Sequence, residues 1–187
     1  DAHRYFGGTG IAATATGAVG SASIINNGSI YASQVSSRGY GAYGMFASAD
    51  GEASVLNNEY GTINVDTQGV AGGALALSFA GNTNATNAGD INVYGYQGAD
   101  GIVSFAQNGT AYAGNSGSIE VGTGYTGHGI DVGGLQGATA VNSGAIAVDA
   151  WYGFGINANS GNGDVSVDNT GSIDVAYTGP FSSNNAF

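Results

Sequence analysis

The chain has 187 residues, of which 36 are glycine, and 42 % of its residues are hydrophobic. Ala, Val and Ile dominate the apolar set, and Asn, Ser and Thr supply much of the rest. This composition disfavours helices and suits short strands joined by turns. Thirteen acidic residues face only Arg4 and Arg38, giving a formal net charge of −11. Nucleic acid is therefore not an expected partner, because phosphate binding needs clustered Lys and Arg.

Two further absences in the sequence limit the function classes. The chain has no cysteine, so disulfides, thiol catalysis and cysteine metal sites are excluded. It has no run of about 18 apolar residues, so this segment is not expected to insert into a membrane. The chain begins at Asp1 and has no signal-peptide pattern. We therefore expect residues 1–187 to be a single segment, with open ends, of a longer protein.

A first motif, Asn-x-Gly-x-Ile-x-Val, recurs along the chain, from Asn26 in its first copy to Asn169 in its last. Successive glycines of the motif are 33, 28, 28, 27 and 27 residues apart. These glycines are Gly28, Gly61, Gly89, Gly117, Gly144 and Gly171. A fixed period of this length is typical of solenoid proteins, in which each repeat is one structural unit.

A second motif lies between copies of the first and consists of glycine followed by an apolar residue. Its glycines are Gly10, Gly44, Gly73, Gly101, Gly129 and Gly155. A third stretch of alternating residues, such as 139–141 and 165–167, precedes each Asn. Each repeat therefore contains three short stretches with the period-two alternation of a half-buried strand.

These features predict an all-β fold, a right-handed parallel β-helix of about six coils of roughly 28 residues with three short strands per coil. The handedness follows from the preference of parallel crossovers for a right-handed turn. Equivalent residues of successive coils should stack into ladders that no single coil could bury. The predicted inner ladder is Ile30, Ile63, Ile91, Ile119, Ile146 and Ile173.

The sequence also predicts a ladder of asparagines at one corner. Its members are Asn26, Asn58, Asn87, Asn115, Asn142 and Asn169, with one residue inserted in the second copy. Each amide is expected to hydrogen-bond to the amides above and below it. Asn and the corner glycines are expected because both tolerate the left-handed backbone conformation.

The motif Asn-(Ser/Thr)-Gly-Ser-Ile-x-Val at 115–121 and 169–175 resembles the Gly- and Asn-rich β-helical passenger domains of bacterial autotransporters and related large adhesins. The resemblance covers residues 6–176. It implies a location at the bacterial cell surface or in the secreted fraction, with attachment to the outer membrane through a region outside this segment. It also implies a structural rod that mediates attachment to cells or to a host.

Aromatic residues recur about four positions before the second glycine marker. Phe6, Tyr40, Tyr125 and Trp151 share this position, and Tyr96 is one place off. Stacked coils should place Tyr125 and Trp151 side by side, as a platform for the face of a sugar. We therefore predict ligand binding by Tyr40, Tyr125 and Trp151, with a glycan or a cell-surface receptor as partner. The alternative is that these rings only cover a corner of the coil.

Catalysis is not expected. Two pairs of titratable side chains nevertheless leave open the alternative of a polysaccharide-acting enzyme such as a lyase, hydrolase or depolymerase. Asp100 and His128 should lie in one column of adjacent coils, close enough for a hydrogen bond. Glu120 and Asp174 should lie two coils apart, roughly 9.6 Å by strand spacing, at the upper limit for a glycosidase pair. The surface between them should lack a groove, and Asp131 should stand alone.

No cofactor or metal site is predicted. The segment 160–168 resembles a single calcium-binding nonapeptide, but that chemistry needs consecutive copies. Only His3 and His128 are available as imidazole ligands, which disfavours zinc. The remaining partner expected from the sequence is another copy of the chain, through unpaired strand edges at the ends of the β-helix.

Overall fold

The structure is a computed structural model that describes residues 6–17, 19–34 and 41–177. All of its regular elements are strands, arranged in three parallel sheets of six strands each. The chain visits the three sheets in turn, so that every third strand is a neighbour in the same sheet. The predicted parallel β-helix with three strands per coil is confirmed, and it makes about five turns of about 28 residues.

The first sheet contains the longest strands. They are β1 (Phe6–Ala15), β4 (Gly41–Ala49), β7 (Val70–Ser78), β10 (Gly98–Ala106), β13 (Thr126–Gly134) and β16 (Tyr152–Ser160). The second sheet consists of β2 (Ala22–Asn26), β5 (Ala53–Asn57), β8 (Thr83–Asn87), β11 (Thr110–Asn115), β14 (Gly137–Asn142) and β17 (Asp164–Asn169). The third consists of β3 (Ser29–Gln34), β6 (Thr62–Thr67), β9 (Asp90–Gly95), β12 (Ser118–Thr123), β15 (Ala145–Asp149) and β18 (Ser172–Ala176).

The isoleucine ladder lies in the third sheet, where the six predicted residues pair one above another in register. The first five are buried. The second sheet faces them mostly with small residues such as Ala85, Ala113 and Ala140. Large side chains from one wall and small ones from the other fit together in a narrow interior.

The asparagine ladder is confirmed, except that its second member is Asn57 and not Asn58. Asn57 pairs in register with Asn26 and Asn87, and its amide accepts from Asn26 at 2.8 Å and donates to Asn87 at 2.8 Å. The extra residues of this corner therefore follow the ladder position. Asn58 instead forms its own outer hydrogen bond, with Asn27.

The expected left-handed backbone at these corners is wrong. Among the described residues, positive φ occurs only at Gly17 and Gly137. The corner glycines are needed for a different reason, since a Cβ on Gly117 would collide with the carbonyl oxygen of Gly89 in the coil below. The asparagines are retained because their amides saturate buried corner carbonyls, as Asn115 does with Gly117 and Ala145.

Within the described part of the chain, no helix is both long and apolar enough to span a membrane.

Candidate functional site

At the second glycine marker, two consecutive residues of a strand in the first sheet face the core. A Cβ on any of these glycines would collide with an isoleucine of the inner ladder, as Gly129 would with Ile146. In β13, Gly129 and Ile130 are both buried in succession, which shifts the alternation by one residue. His128 and Asp131 therefore face the same outer side, although residues three apart in a regular strand face opposite sides.

The two consecutive inward residues set the backbone back between two outward columns of the first sheet, which therefore flank a shallow groove. One column runs Thr9, Tyr43, Gly72, Asp100, His128 and Phe154. The other runs Ala12, Phe46, Leu75, Val103, Asp131 and Asn157. The two columns approach each other across the groove, where the ring centroids of Tyr43 and Phe46 are 6.0 Å apart. We call Asp100, His128, Asp131 and Asn157 the polar groove.

The predicted contact between Asp100 and His128 is confirmed. His128 Nδ1 lies 2.7 Å from Asp100 Oδ1, and the imidazole stacks on Phe154 with ring centroids 5.1 Å apart. The hydrogen bond that the Asp100 carboxylate accepts raises the pKa of His128, against a smaller lowering by burial. The His128 imidazole is thus held on one side by the Asp100 carboxylate and on the other by the Phe154 ring.

Asp131 was expected to have no other acid in its column, and its column neighbours are Val103 and Asn157. Its carboxylate accepts a hydrogen bond of 2.9 Å from Asn157, and burial raises its pKa while His128 lowers it and Asp100 raises it. The two consecutive inward residues Gly129 and Ile130 place Asp131 on the same outer side of β13 as His128. The signal in the sequence was the glycine followed by an inward apolar residue, which changes the side on which every later residue of the strand lies.

Aromatic side chains form a continuous surface at the corner between the third and first sheets. We call Tyr96, Tyr125, Trp151 and Tyr152 the aromatic strip. The ring centroids of Tyr125 and Trp151 are 6.2 Å apart at 26°, as their shared column predicted. Tyr96 contacts Tyr125 edge-on at 6.1 Å, and Trp151 is parallel to Tyr152 at 5.8 Å and 3°. All four rings are exposed, with 39–60 % of their surface accessible.

The aromatic strip and the polar groove are adjacent. Tyr152 and Phe154 both point outward from β16, because the intervening Gly153 faces inward, toward Val148 and Val175. Two residues along a strand are about 6.8 Å apart, so Phe154 connects the strip to His128. Tyr152 was missed in the sequence because its counterparts in the two preceding coils, Thr126 and Gly98, are not aromatic. Tyr40 lies outside the described residues, as does the side chain of Phe6.

A second acidic arrangement lies on the third sheet. Glu120 and Asp174 flank Ala147 in one column, as predicted. They line a pocket of about 150 Å³ together with Asp149 and Tyr94, so the expected absence of a groove here is wrong. Small residues at Gly122 and Ala147 leave the depression. The Tyr94 hydroxyl donates a hydrogen bond of 2.7 Å to Glu120. Burial, and to a smaller extent this hydrogen bond, raises the pKa of Tyr94 to about 12.

The described residues contain no group of three or more His, Asp or Glu side chains arranged to hold a metal ion. The predicted absence of a metal concerns the whole chain and stays a prediction. The segment 160–168 lies at the end of β16 and in β17.

The chain is thus a parallel β-solenoid with an aromatic strip and a polar groove on its outer face. Comparison with protein-family models, with curated proteins and with solved structures gives no match.

Proposed function

We propose that this chain is a carbohydrate-binding rod of the adhesin type, displayed at the bacterial cell surface or secreted. The aromatic strip is the observation that carries the proposal. Aromatic rings are costly to leave in water, and exposed clusters of them mark interaction sites. The aromatic strip, with four exposed rings in mutual contact across adjacent coils, is such a cluster.

A glycan is the ligand that best fits the chemistry of this surface. The strip supplies ring faces for the apolar side of a sugar, while Asp100, Asp131 and Asn157 supply hydrogen-bonding groups next to it. Binding sites typically combine apolar contact with a few polar groups that fix the orientation of the ligand. The repeated coil supports the adhesin part of the proposal, because an extended solenoid offers a stiff support for such a surface.

The alternative is a polysaccharide-acting enzyme, which the pocket around Glu120 and Asp174 favours. Its volume of about 150 Å³ is well below the roughly 300–1,000 Å³ of usual small-molecule sites. Ala147 separates the two carboxylates in their column, and Asp149 is the third acidic residue that lines the pocket. We favour binding over catalysis because this pocket is small, whereas all four rings of the strip are exposed.

Self-association is a second proposed partner interaction. Among the described residues, the exposed large apolar side chains of β17 and β18 are Val165, Val167, Ile173 and Val175. Exposed strand edges of this kind readily pair with another chain.

The proposed function is tested by replacing the strip. We expect the double variant Tyr125→Ala with Trp151→Ala to lose binding on a glycan array by at least about tenfold, since hot-spot aromatic residues contribute about 2 kcal/mol or more each. The β-signal in circular dichroism should be unchanged because the rings lie outside the core. The matched control is Tyr31→Ala with Tyr60→Ala, which removes two exposed rings elsewhere on the chain.

Equal losses in the strip variant and the control would show that the strip is not the binding surface. Release of reducing sugar ends from a bound glycan by the unmodified chain would replace the proposal with the enzyme alternative. In that case Glu120→Gln should abolish the release.

A further inference from the structure

The polar groove has an excess of negative charge at a partly buried position. Asp100 and Asp131 both contribute carboxylates, and His128 is the one basic side chain of the groove. His128 is already hydrogen-bonded to Asp100 at 2.7 Å. Asp131 therefore has only the neutral amide of Asn157 as a hydrogen-bond donor, so its ionised form is weakly compensated.

The surroundings of the aromatic strip carry the same sign of charge. On the third sheet, Glu120, Asp149 and Asp174 line the pocket next to the corner that holds the strip. Asp149 and Trp151 are two residues apart, separated by the buried Ala150. The described residues contain neither Lys nor Arg, because the chain has no Lys and both arginines, Arg4 and Arg38, lie outside them. A sulfated or carboxylated sugar would therefore meet repulsion from these described carboxylates on both sides of the strip.

We infer that the strip and the polar groove together bind a glycan that carries free amino groups, such as a polymer of 2-amino-2-deoxyhexose. This inference rests on the proposed glycan binding and names the class of glycan. The ring faces of the sugar lie on Tyr125, Trp151 and Tyr152, and the ammonium group donates hydrogen bonds to Asp131 and Asp100. Phe154 lies between the two parts, so one sugar unit beyond the strip reaches the groove.

Burial of Asp131 gives a physical reason for selectivity toward a cation. Both burial and the neighbouring Asp100 raise the pKa of Asp131, which means that its negative charge is destabilised in the free protein. An ammonium group at hydrogen-bonding distance relieves that destabilisation, whereas an acetamido group of the same sugar does not. The amino and the N-acetylated forms of one oligosaccharide should therefore be distinguished by the groove and not by the strip.

The test uses two hexasaccharides with the same β-1,4-linked backbone, one of glucosamine and one of N-acetylglucosamine, titrated calorimetrically into the whole chain. We expect the glucosamine hexamer to bind at least about tenfold more tightly at low salt, as charge-assisted hydrogen bonds contribute about 1.5–3 kcal/mol. Added salt should reduce that preference. Asp131→Asn should remove most of the preference, measured as the ratio of the affinities for the two hexamers.

The control is Asp66→Asn, which removes the same charge from β6 on the third sheet, three coils from Asp149 in the same column. A preference that survives in Asp131→Asn, or that falls equally in Asp66→Asn, overturns the inference. Equal affinity of the unmodified chain for both hexamers also overturns it, and leaves the proposed glycan binding intact. If the unmodified chain binds neither of these hexamers and no neutral glycan, the proposed function itself is overturned.

Discussion

The fourth and sixth coils contain nearly the same motif in very different environments. Asn-Ser-Gly-Ser-Ile-Glu-Val at 115–121 and Asn-Thr-Gly-Ser-Ile-Asp-Val at 169–175 form β12 and β18 with the same pairing register. Ile119 is 1 % exposed, whereas Ile173 is 38 % exposed. The difference shows that a coil does not bury its own core residues, and that the next coil along the axis completes their burial.

The strongest test of this comparison places a carboxylate at both positions. We expect Ile119→Asp to lower the free energy of unfolding by about 4 kcal/mol or more, because an unpaired charge would be buried among Ile91 and Ile146. Ile173→Asp should cost only about 1 kcal/mol, since its carboxylate can reach water. Urea denaturation followed by circular dichroism measures both values.

Ile119→Val serves as the conservative control, with an expected cost of about 0.5–1.5 kcal/mol. Similar costs for the two aspartate variants would contradict the dependence of burial on the neighbouring coil.

Glycine at the corner gives a second comparison, with an effect of intermediate size. A Cβ at Gly117 would collide with the backbone of Gly89, whereas a Cβ at Gly28, in the first coil, would meet nothing within 4 Å. We expect Gly117→Ala to cost about 1–3 kcal/mol through overpacking. Gly28→Ala should be neutral or stabilise by about 0.4–1 kcal/mol, since Gly28 has no positive φ and alanine restricts the unfolded chain.

Thermal unfolding of the two glycine variants should therefore shift in opposite directions or leave Gly28→Ala unchanged. A loss at Gly28 equal to that at Gly117 would mean that the corner requires glycine for its backbone conformation, as the sequence alone had indicated.

The sequence predicts ladder positions well where the repeat length is constant. From Gly61 onward the period varies by one residue, so the isoleucine column and the Asp100 and His128 pair follow from counting. The second corner is longer, and counting back from Gly61 selects Asn58, although the ladder residue is Asn57. Local spacing cannot decide on which side of a ladder residue an insertion is accommodated.

The candidate site is less predictable because it depends on the shape of a strand. Regular alternation puts His128 and Asp131 on opposite faces, and only the close approach of Gly129 to Ile146 brings them to the same face. The pocket near Glu120 was missed for a similar reason, since it exists through the small size of Gly122 and Ala147. Both features arise from contacts between coils, which a single repeat does not reveal.

The smallest expected effect is a pH dependence of the free energy of unfolding. It concerns one outward column in two adjacent coils, which has the titratable His128 in the fifth coil and Phe154 in the sixth. Because the hydrogen bond to Asp100 raises the pKa of His128 above its usual 6.5, protonated His128 stabilises the folded chain. This stabilisation is fully present below the unfolded pKa of about 6.5 and is lost as the pH rises through the higher folded value. Asp131, whose pKa is also raised, acts in the same direction at lower pH, above about 3.8.

We therefore expect the free energy of unfolding to fall by about 1 kcal/mol or less from pH 6 to pH 8, because solvent screens a pair whose side chains are 17 % and 28 % exposed. His128→Gln should remove this pH dependence, as should Asp100→Asn, which deletes the charge that raises the pKa of His128. Phe154→Leu should reduce the stacking contact without removing the titration. If the pH dependence persists in His128→Gln, it arises from a group outside this column. The His128 position in the fifth coil would then contribute no more to the pH dependence than the Phe154 position in the sixth.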